Sequence, residues 1–320
     1  MMHIRISLFA FLLLCSSAFA QKSPIKERNW RQATGQGRLF GTLAVPREGK
    51  ANTLCIIVPG SGPTNRNGNS GVFVYANSYK MLSDSLVMNG YAVLRYDKRG
   101  VGESVYAFTN ETELTFPLYC EDLGQVIRGQ RRDGHFSKIV LIGHSEGSTV
   151  SLMAALKDTV DGFVSLCGPG RSADSLILTQ LRTQPLKVRE EAEMIIRTIN
   201  NGESMPRVSE SLQSLFRPSI QPYLRSWFAV KPYVEIAKLS CPVLIVQGNT
   251  DIQVAVSEGE RLKAARPSAE LITIDQMNHV LKTAPEDGPR NIRTYGDPYM
   301  PLNKGLMPAL LPFLKNISSK

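Results

Sequence analysis

The stretch Lys138-Ile139-Val140-Leu141-Ile142-Gly143-His144-Ser145-Glu146-Gly147 decides the fold of this chain. After Lys138, Ile139 to Ile142 are apolar and mostly β-branched, a run short enough for a buried parallel strand. The nine that follow, Ser148 to Leu156, are small and apolar and predict a helix that packs closely on a sheet. Between them stands Gly-His-Ser-Glu-Gly, a G-x-S-x-G string in strand–turn–helix context, where the turn is sharp and lifts the serine hydroxyl clear of the sheet. The same pentapeptide outside that context would be an ordinary glycine-bounded turn. Here it makes Ser145 a candidate nucleophile.

The pattern around this stretch is regular. Thr53 to Val58 predicts a buried strand, followed by a long polar loop, Pro59 to Gly68. Tyr79 to Met88 predicts an amphipathic helix stopped by Asn89-Gly90, Tyr91 to Tyr96 a strand, and Asp122 to Arg131 a helix leading to the Ser145 strand. Gly37 to Pro46 predicts an antiparallel strand or hairpin. Beyond Ser145 come strands at Gly162 to Cys167, Pro242 to Gln247 and Glu270 to Ile274, and a closing helix from Pro301 to Ile317. Alternation at this spacing predicts an α/β architecture: a mostly parallel central sheet flanked by helices, with ligands at the carboxyl ends of the strands. Residues 171–235 break the alternation. They hold helical patterns divided by five prolines, and are expected to form a helical cap insertion in a core of residues 21–170 and 236–320.

At 320 residues the chain can bury a full core. Its 42% apolar and 20% charged residues are ordinary for a globular protein. The net charge of +9 is spread along the chain, with no basic stripe carrying stacking aromatics, which argues against a nucleic-acid partner. Residues 1–20 read as a signal peptide: a weakly basic start, a short apolar core from Ile6 to Leu14, and Ala18-Phe19-Ala20 as the cleavage pattern. The mature protein is therefore expected to be exported after cleavage near Ala20. Cys15 does not make a lipoprotein signal, because Leu14 stands where a small residue is needed. No other segment is long and apolar enough for a membrane anchor. Export makes the cysteines worth checking, but Cys167 ends one strand and Cys241 begins the next parallel one. That places them at opposite edges of the sheet, beyond the roughly 7 Å that a disulfide spans. Cys55, Cys120, Cys167 and Cys241 read as packed thiols.

A serine nucleophile needs a base, and elimination selects it. Of the four histidines, His3 is in the leader, His144 belongs to the turn, and His135 precedes the Ser145 strand at the wrong sheet edge. His279 follows a strand on the active side. The carboxylate that orients it is expected to be Asp251, just beyond the Pro242–Gln247 strand; Asp97 and Asp275 compete less well. The order Ser145, Asp251, His279 is the one that α/β-hydrolases use.

With these residues in place, the sequence resembles an α/β-hydrolase, and within that superfamily the EstD-type bacterial carboxylesterases. The resemblance rests on Gly60-Ser61-Gly62-Pro63, on Tyr96-Asp97-Lys98-Arg99-Gly100-Val101-Gly102-Glu103-Ser104, on the Gly143–Gly147 turn and on Asn278-His279-Val280. It implies an oxyanion hole made by the backbone N–H groups of Ser61 and Glu146, whose side chains would have no chemical part. It departs from the group at Pro59, where a histidine is usual, and at Asn65 and Asn67, where acids are usual. The second departure leaves Arg66 less neutralised, free either to hold a substrate carboxylate or to brace its loop. The expected function is that of an exported serine hydrolase, a carboxylesterase for small short-acyl esters with no metal or organic cofactor. A serine exopeptidase, with Glu190, Glu191 or Glu193 receiving a substrate ammonium, an acyl thioesterase and a non-catalytic binding protein are the alternatives. Cap residues Leu212, Leu215, Phe216, Tyr223, Leu224, Trp227 and Phe228 are expected to pack the cap and leave a modest pocket.

Overall fold

The computed structural model describes residues 23–35, 37–107 and 110–319. The leader reading for residues 1–20 lies outside them. In chain order the elements are β1 (Ile25–Thr34), β2 (Gly37–Pro46), β3 (Thr53–Val58), β4 (Asn69–Ser70), β5 (Val74–Tyr75), α1 (Ser78–Met88), β6 (Ala92–Tyr96) and α2 (Phe116–Asp133). The Ser145 region follows as β7 (Lys138–His144) and α3 (Glu146–Ala155), then β8 (Gly162–Leu166). Helices α4 (Ala173–Gln180), α5 (Leu186–Asn200), α6 (Gln213–Phe216), α7 (Gln221–Phe228) and α8 (Pro232–Glu235) occupy the next stretch. The chain ends with β9 (Val243–Gly248), α9 (Val256–Ala265), β10 (Glu270–Ile274), α10 (Gly288–Arg293) and α11 (Leu306–Ser318).

Eight strands form one sheet in the order β1-β2-β6-β3-β7-β8-β9-β10. The pairs β1–β2 and β2–β6 are antiparallel, and every pair from β6 to β10 is parallel. All the parallel strands therefore deliver their carboxyl ends to one edge. Strand residues alternate strictly between two cores, as a period of two requires. Leu54, Ile56, Leu141 and Ile245 face the core shared with α2, α3 and α9. Cys55, Ile57, Val140, Ile142 and Val246 face the core built with α1 and α11. Burying both faces is why these strands read as continuous apolar runs rather than alternating ones.

β1 was not apparent as a strand in the sequence. It pairs with β2 over ten residues at the sheet edge, where its largely exposed side chains need no apolar run. α2 begins at Phe116, six residues before the expected start, with Pro117 in its first turn, and closes on Gly134 at φ 65°. The four cysteines from Cys55 to Cys241 are buried free thiols. Among the described residues no helix is long and apolar enough to cross a membrane.

Residues 171–235 hold helices and no strand. Their apolar side chains pack sideways into the core of α2. Phe116 and Trp227 stack with ring centroids 6.1 Å apart, and Tyr223 meets Tyr119 edge-on at 5.7 Å. Leu212, Phe216, Leu224 and Phe228 are fully buried in that same core, and Leu215 is partly exposed.

Candidate active site

The turn after β7 puts Ser145 at φ 55°, ψ −125°, a conformation that costs a non-glycine residue about 1–3 kcal/mol. The surrounding backbone holds it there: Ser145 N–H donates to the Leu166 carbonyl at 3.0 Å, and Ser148 N–H donates to the Ser145 carbonyl at 2.9 Å. Both flanking glycines are required by close approach. A Cβ on Gly147 would overlap the Val58 carbonyl oxygen, and one on Gly143 would overlap the carbonyl oxygen of Gly147. The result is a serine at the carboxyl edge of the sheet and at the N-terminus of α3, where the helix dipole favours developing negative charge.

His279 reaches this edge on the loop after β10. Asn278 fixes that loop: its amide donates to Asn291 Oδ1 at 3.0 Å and Thr294 Oγ1 at 2.7 Å, and its carbonyl oxygen accepts from Lys282 N–H at 3.0 Å. Asp251 sits on the loop after β9. Its Oδ1 accepts from the N–H groups of Gln253 and Val254 at 2.8 and 2.9 Å, and its Oδ2 accepts from His279 Nδ1 at 2.7 Å. Since a carboxylate can only accept, Nδ1 carries the proton, and Nε2 is left bare in the neutral ring. Ser145 and His279 line one cavity. The structure shows no hydrogen bond between these two described side chains; such nucleophile–base contacts often tighten only when substrate binds. The competing carboxylates are occupied elsewhere. Asp97 accepts from Arg66 and from Glu103 N–H, and Asp275 accepts from Asn249. His135 is exposed beyond α2.

Both ring nitrogens of His144 are engaged by groups other than the serine hydroxyl. Its Nε2 donates to the His279 carbonyl at 2.8 Å, and its Nδ1 accepts from the Tyr79 hydroxyl, also at 2.8 Å. Tyr79 in turn accepts from Gly60 N–H at 3.1 Å. This chain of bonds ties the loop after β3 to the histidine loop. Burial, reinforced by the neighbouring His279, pushes the His144 pKa down to about 3, so the ring is neutral.

Ser61 lines the cavity beside Ser145, and Gly60 approaches so closely that a Cβ there would lie 3.2 Å from the serine Cβ. The N–H groups of Ser61 and Glu146 have no protein acceptor among the described residues. The Glu146 side chain is another matter. It is buried and lies 3.4 Å from Lys98 Nζ, which itself donates to the Gly60 carbonyl at 2.6 Å.

Arg66 lies away from the cavity. Its guanidinium binds Asp97 Oδ2 at 3.0 and 2.6 Å and also contacts Glu103, so it is fully neutralised despite Asn65 and Asn67. The compensating acids come from the Asp97–Ser104 segment. These contacts tie Arg66 to the Asp97–Ser104 segment, the bracing alternative of its two expected roles.

The cavity at Ser145 has a volume of about 130 Å³. Thr64, Ser70, Val74, Gln253, Val280 and Tyr295 complete most of its wall, and none of the lining side chains comes from 171–235. The pocket is modest for a reason other than the one expected: the loop after β3 and the β4–β5 hairpin shape it. Glu190 and Glu193 are exposed on α5, and Glu191 accepts from Ser209 N–H, so none of the three reaches the site. Candidate metal-ligand atoms of His144, Cys167 and His279 lie within 4.8 Å of one another. Both His144 nitrogens and His279 Nδ1 are already hydrogen-bonded, and burial holds the Cys167 thiol in its protonated form, so the donor set does not suit a resident metal.

A family model described as "Serine aminopeptidase, S33" matches residues 69–205, which include Ser145 but neither Asp251 nor His279. Esterase EstD of Thermotoga maritima is 24% identical over 247 residues, covering 76% of this chain and 58% of EstD. The match thus spans less than two thirds of that relative. An uncharacterized hydrolase of Bacillus subtilis, YugF, is 24% identical over 229 residues, covering 65% of this chain and 79% of YugF. Among solved structures, Est1E from Butyrivibrio proteoclasticus with bound ferulic acid superimposes with a TM-score of 0.61 at 18% identity, over 91% of this chain and all of Est1E. The hydrolase GrgF from a Penicillium species gives a TM-score of 0.62, also at 18% identity, over 92% of this chain and all of GrgF.

Proposed function

We propose that this chain, a member of the α/β-hydrolase superfamily, is an exported serine esterase that cleaves small short-acyl esters through an acyl-enzyme. Ser145 Oγ attacks the ester carbonyl carbon as its proton passes to His279 Nε2, and Asp251 stabilises the imidazolium that forms. The carbonyl oxygen becomes an oxyanion held by the N–H groups of Ser61 and Glu146, each worth about 3–4 kcal/mol. Collapse breaks the bond to the alcohol oxygen, which takes the proton back from His279. Water, deprotonated by His279, then attacks the acyl carbon and releases the acid and Ser145. The chemistry calls on protein groups and water alone.

The observation that carries this reading is that Ser145 and His279, the latter bonded to Asp251, line one small cavity whose wall holds no carboxylate, lysine or arginine. A volume of about 130 Å³ is well below the ~300–1,000 Å³ of sites for drug-sized ligands, which favours short acyl groups. An aminopeptidase is the second reading, favoured by the description of the matching family model. Against it, no carboxylate in the cavity wall is free to hold a substrate α-ammonium: Asp251 is wholly committed, and the α5 acids are elsewhere. A panel of aryl acetates, aryl decanoates and aminoacyl anilides separates the two. Ser145-dependent cleavage of acetates faster than decanoates, with anilides nearly inert, supports the esterase. Efficient anilide cleavage overturns it. Export is tested by expression with the native leader: mature protein outside the cytoplasm beginning at Gln21 is the expected result, and an intact leader on cytoplasmic protein refutes it.

A further inference from the structure

Lys98 lies in the Asp97-Lys98-Arg99 segment after β6, and its ammonium group is buried. Its contacts are the Gly60 carbonyl at 2.6 Å, the Glu146 carboxylate at 3.4 Å and the face of Tyr119, 5.1 Å to the ring centroid. Burying such a pair is a poor way to gain stability, because desolvating both charges offsets most of their attraction. Its position suggests a different use.

A trans peptide is planar, so the C=O of one residue and the N–H of the next point in opposite directions. Lys98 holds the Gly60 C=O, and the N–H of the same peptide unit belongs to Ser61. Pulling the carbonyl toward Lys98 therefore aims the Ser61 N–H the other way. The two sides of this peptide are distinct places. Lys98, Pro59, Tyr119 and Glu146 line a small inner cavity, whereas Gly60, Ser61 and Ser145 line the outer one. Glu146 shows the same polarity. Its side chain turns inward to Lys98, while its N–H, at the first position of α3, has no acceptor within the helix. At the other end of the Gly60 residue, Tyr79 accepts from Gly60 N–H, so the residue is held at both its donor and its acceptor.

We propose that the Lys98–Glu146 pair is the positioning device of the oxyanion hole, linking the residues that supply its two donors and aiming the Ser61 N–H at the reacting carbonyl. Lys98 and the Glu146 carboxylate touch no substrate atom; they act through the backbone. The proposal rests on the esterase reading and on the assignment of Ser61 and Glu146 as oxyanion donors.

The test uses the full mature chain with Lys98→Met and Glu146→Gln, the latter keeping shape while removing charge. Aryl acetate kcat and KM are measured beside the affinities of two inhibitors. One is a trifluoromethyl ketone, which adds to the serine and forms the oxyanion. The other is the matching secondary alcohol, which cannot. Loss of aim should lower kcat about 10- to 100-fold, somewhat less than deletion of a whole donor. KM should stay within about threefold, ketone affinity should fall by the same factor as kcat/KM, and alcohol affinity should hold. Glu146→Gln should show the smaller loss. If Lys98→Met fails to fold, Glu146→Gln alone decides by the same comparison. Wild-type turnover that disappears in Ser145→Ala keeps the two readings apart: where it is present, unchanged kcat and ketone affinity overturn the positioning role and leave the esterase reading standing. A loss shared equally by ketone and alcohol also overturns it, since that is the mark of general damage.

Discussion

His144 should make the protein acid-sensitive well above the pH at which its carboxylates titrate. Its ring is buried, with Nε2 donating to the His279 carbonyl and Nδ1 accepting from Tyr79. A proton on Nδ1 would have to displace the tyrosine proton, and that hydroxyl already receives Gly60 N–H. The folded pKa, about 3, lies below the ordinary value of 6.5, so the unfolded chain binds this proton more readily. Stability from the neutral ring is therefore complete above pH 6.5 and is lost progressively as pH falls toward 3. At pH 5 the unfolded state gains 1.5 pH units of protonation, which amounts to about 2 kcal/mol. The assay is urea unfolding of wild type and His144→Gln at pH 7.5 and pH 5. The glutamine variant should be less stable at pH 7.5, yet lose about 2 kcal/mol less than wild type on going to pH 5. Equal losses in the two proteins would refute the buried neutral histidine.

Three further substitutions separate catalytic from bracing groups. Asp251→Asn should lower kcat by about 10⁴-fold while leaving the protein folded, because the amide no longer enforces the Nδ1–H tautomer; Asp275→Asn should be close to wild type in a steady-state ester assay. Arg66→Ala strips the buried Asp97 of its main cation and should cost roughly 3 kcal/mol in denaturant melts, with KM for a neutral aryl acetate unchanged. A large rise in KM without a loss of stability would return Arg66 to substrate binding.

The apolar framework was legible because its central strands are buried on both faces. Thr53–Val58 stands where its run of β-branched and apolar residues places it, and Lys138–His144 ends in the turn that G-x-S-x-G demands. Glu270–Ile274, at the sheet edge, is legible from its β-branched residues although only Ile274 is buried. Elimination among four histidines needs only each one's place along the chain and at the sheet edges, and the structure brings His279 and Asp251 within 2.7 Å. Polar contacts made by distant segments carry no such period. Arg66 and Asp97 are 31 residues apart and Lys98 and Glu146 are 48 apart, so neither pair has a local signal. The glutamate in the G-x-S-x-G string looked chemically idle for that reason. His144 could be excluded as the base, but its bond to the His279 carbonyl could not be foreseen across 135 residues. The aromatic side chains of 171–235 are packing material; their destination beside α2 depends on Phe116 and Tyr119, at the start of a helix that begins six residues before the expected Asp122.

Covalent labelling reads out whether Ser145, activated by His279, is the nucleophile. The protein is treated with a fluorophosphonate probe, digested, and the modified residue located by mass spectrometry. A single modification is expected on Ser145, absent in Ser145→Ala and slowed by orders of magnitude in His279→Ala, while His135→Ala labels at the wild-type rate. Modification at another residue, or undiminished labelling of Ser145→Ala, would contradict it.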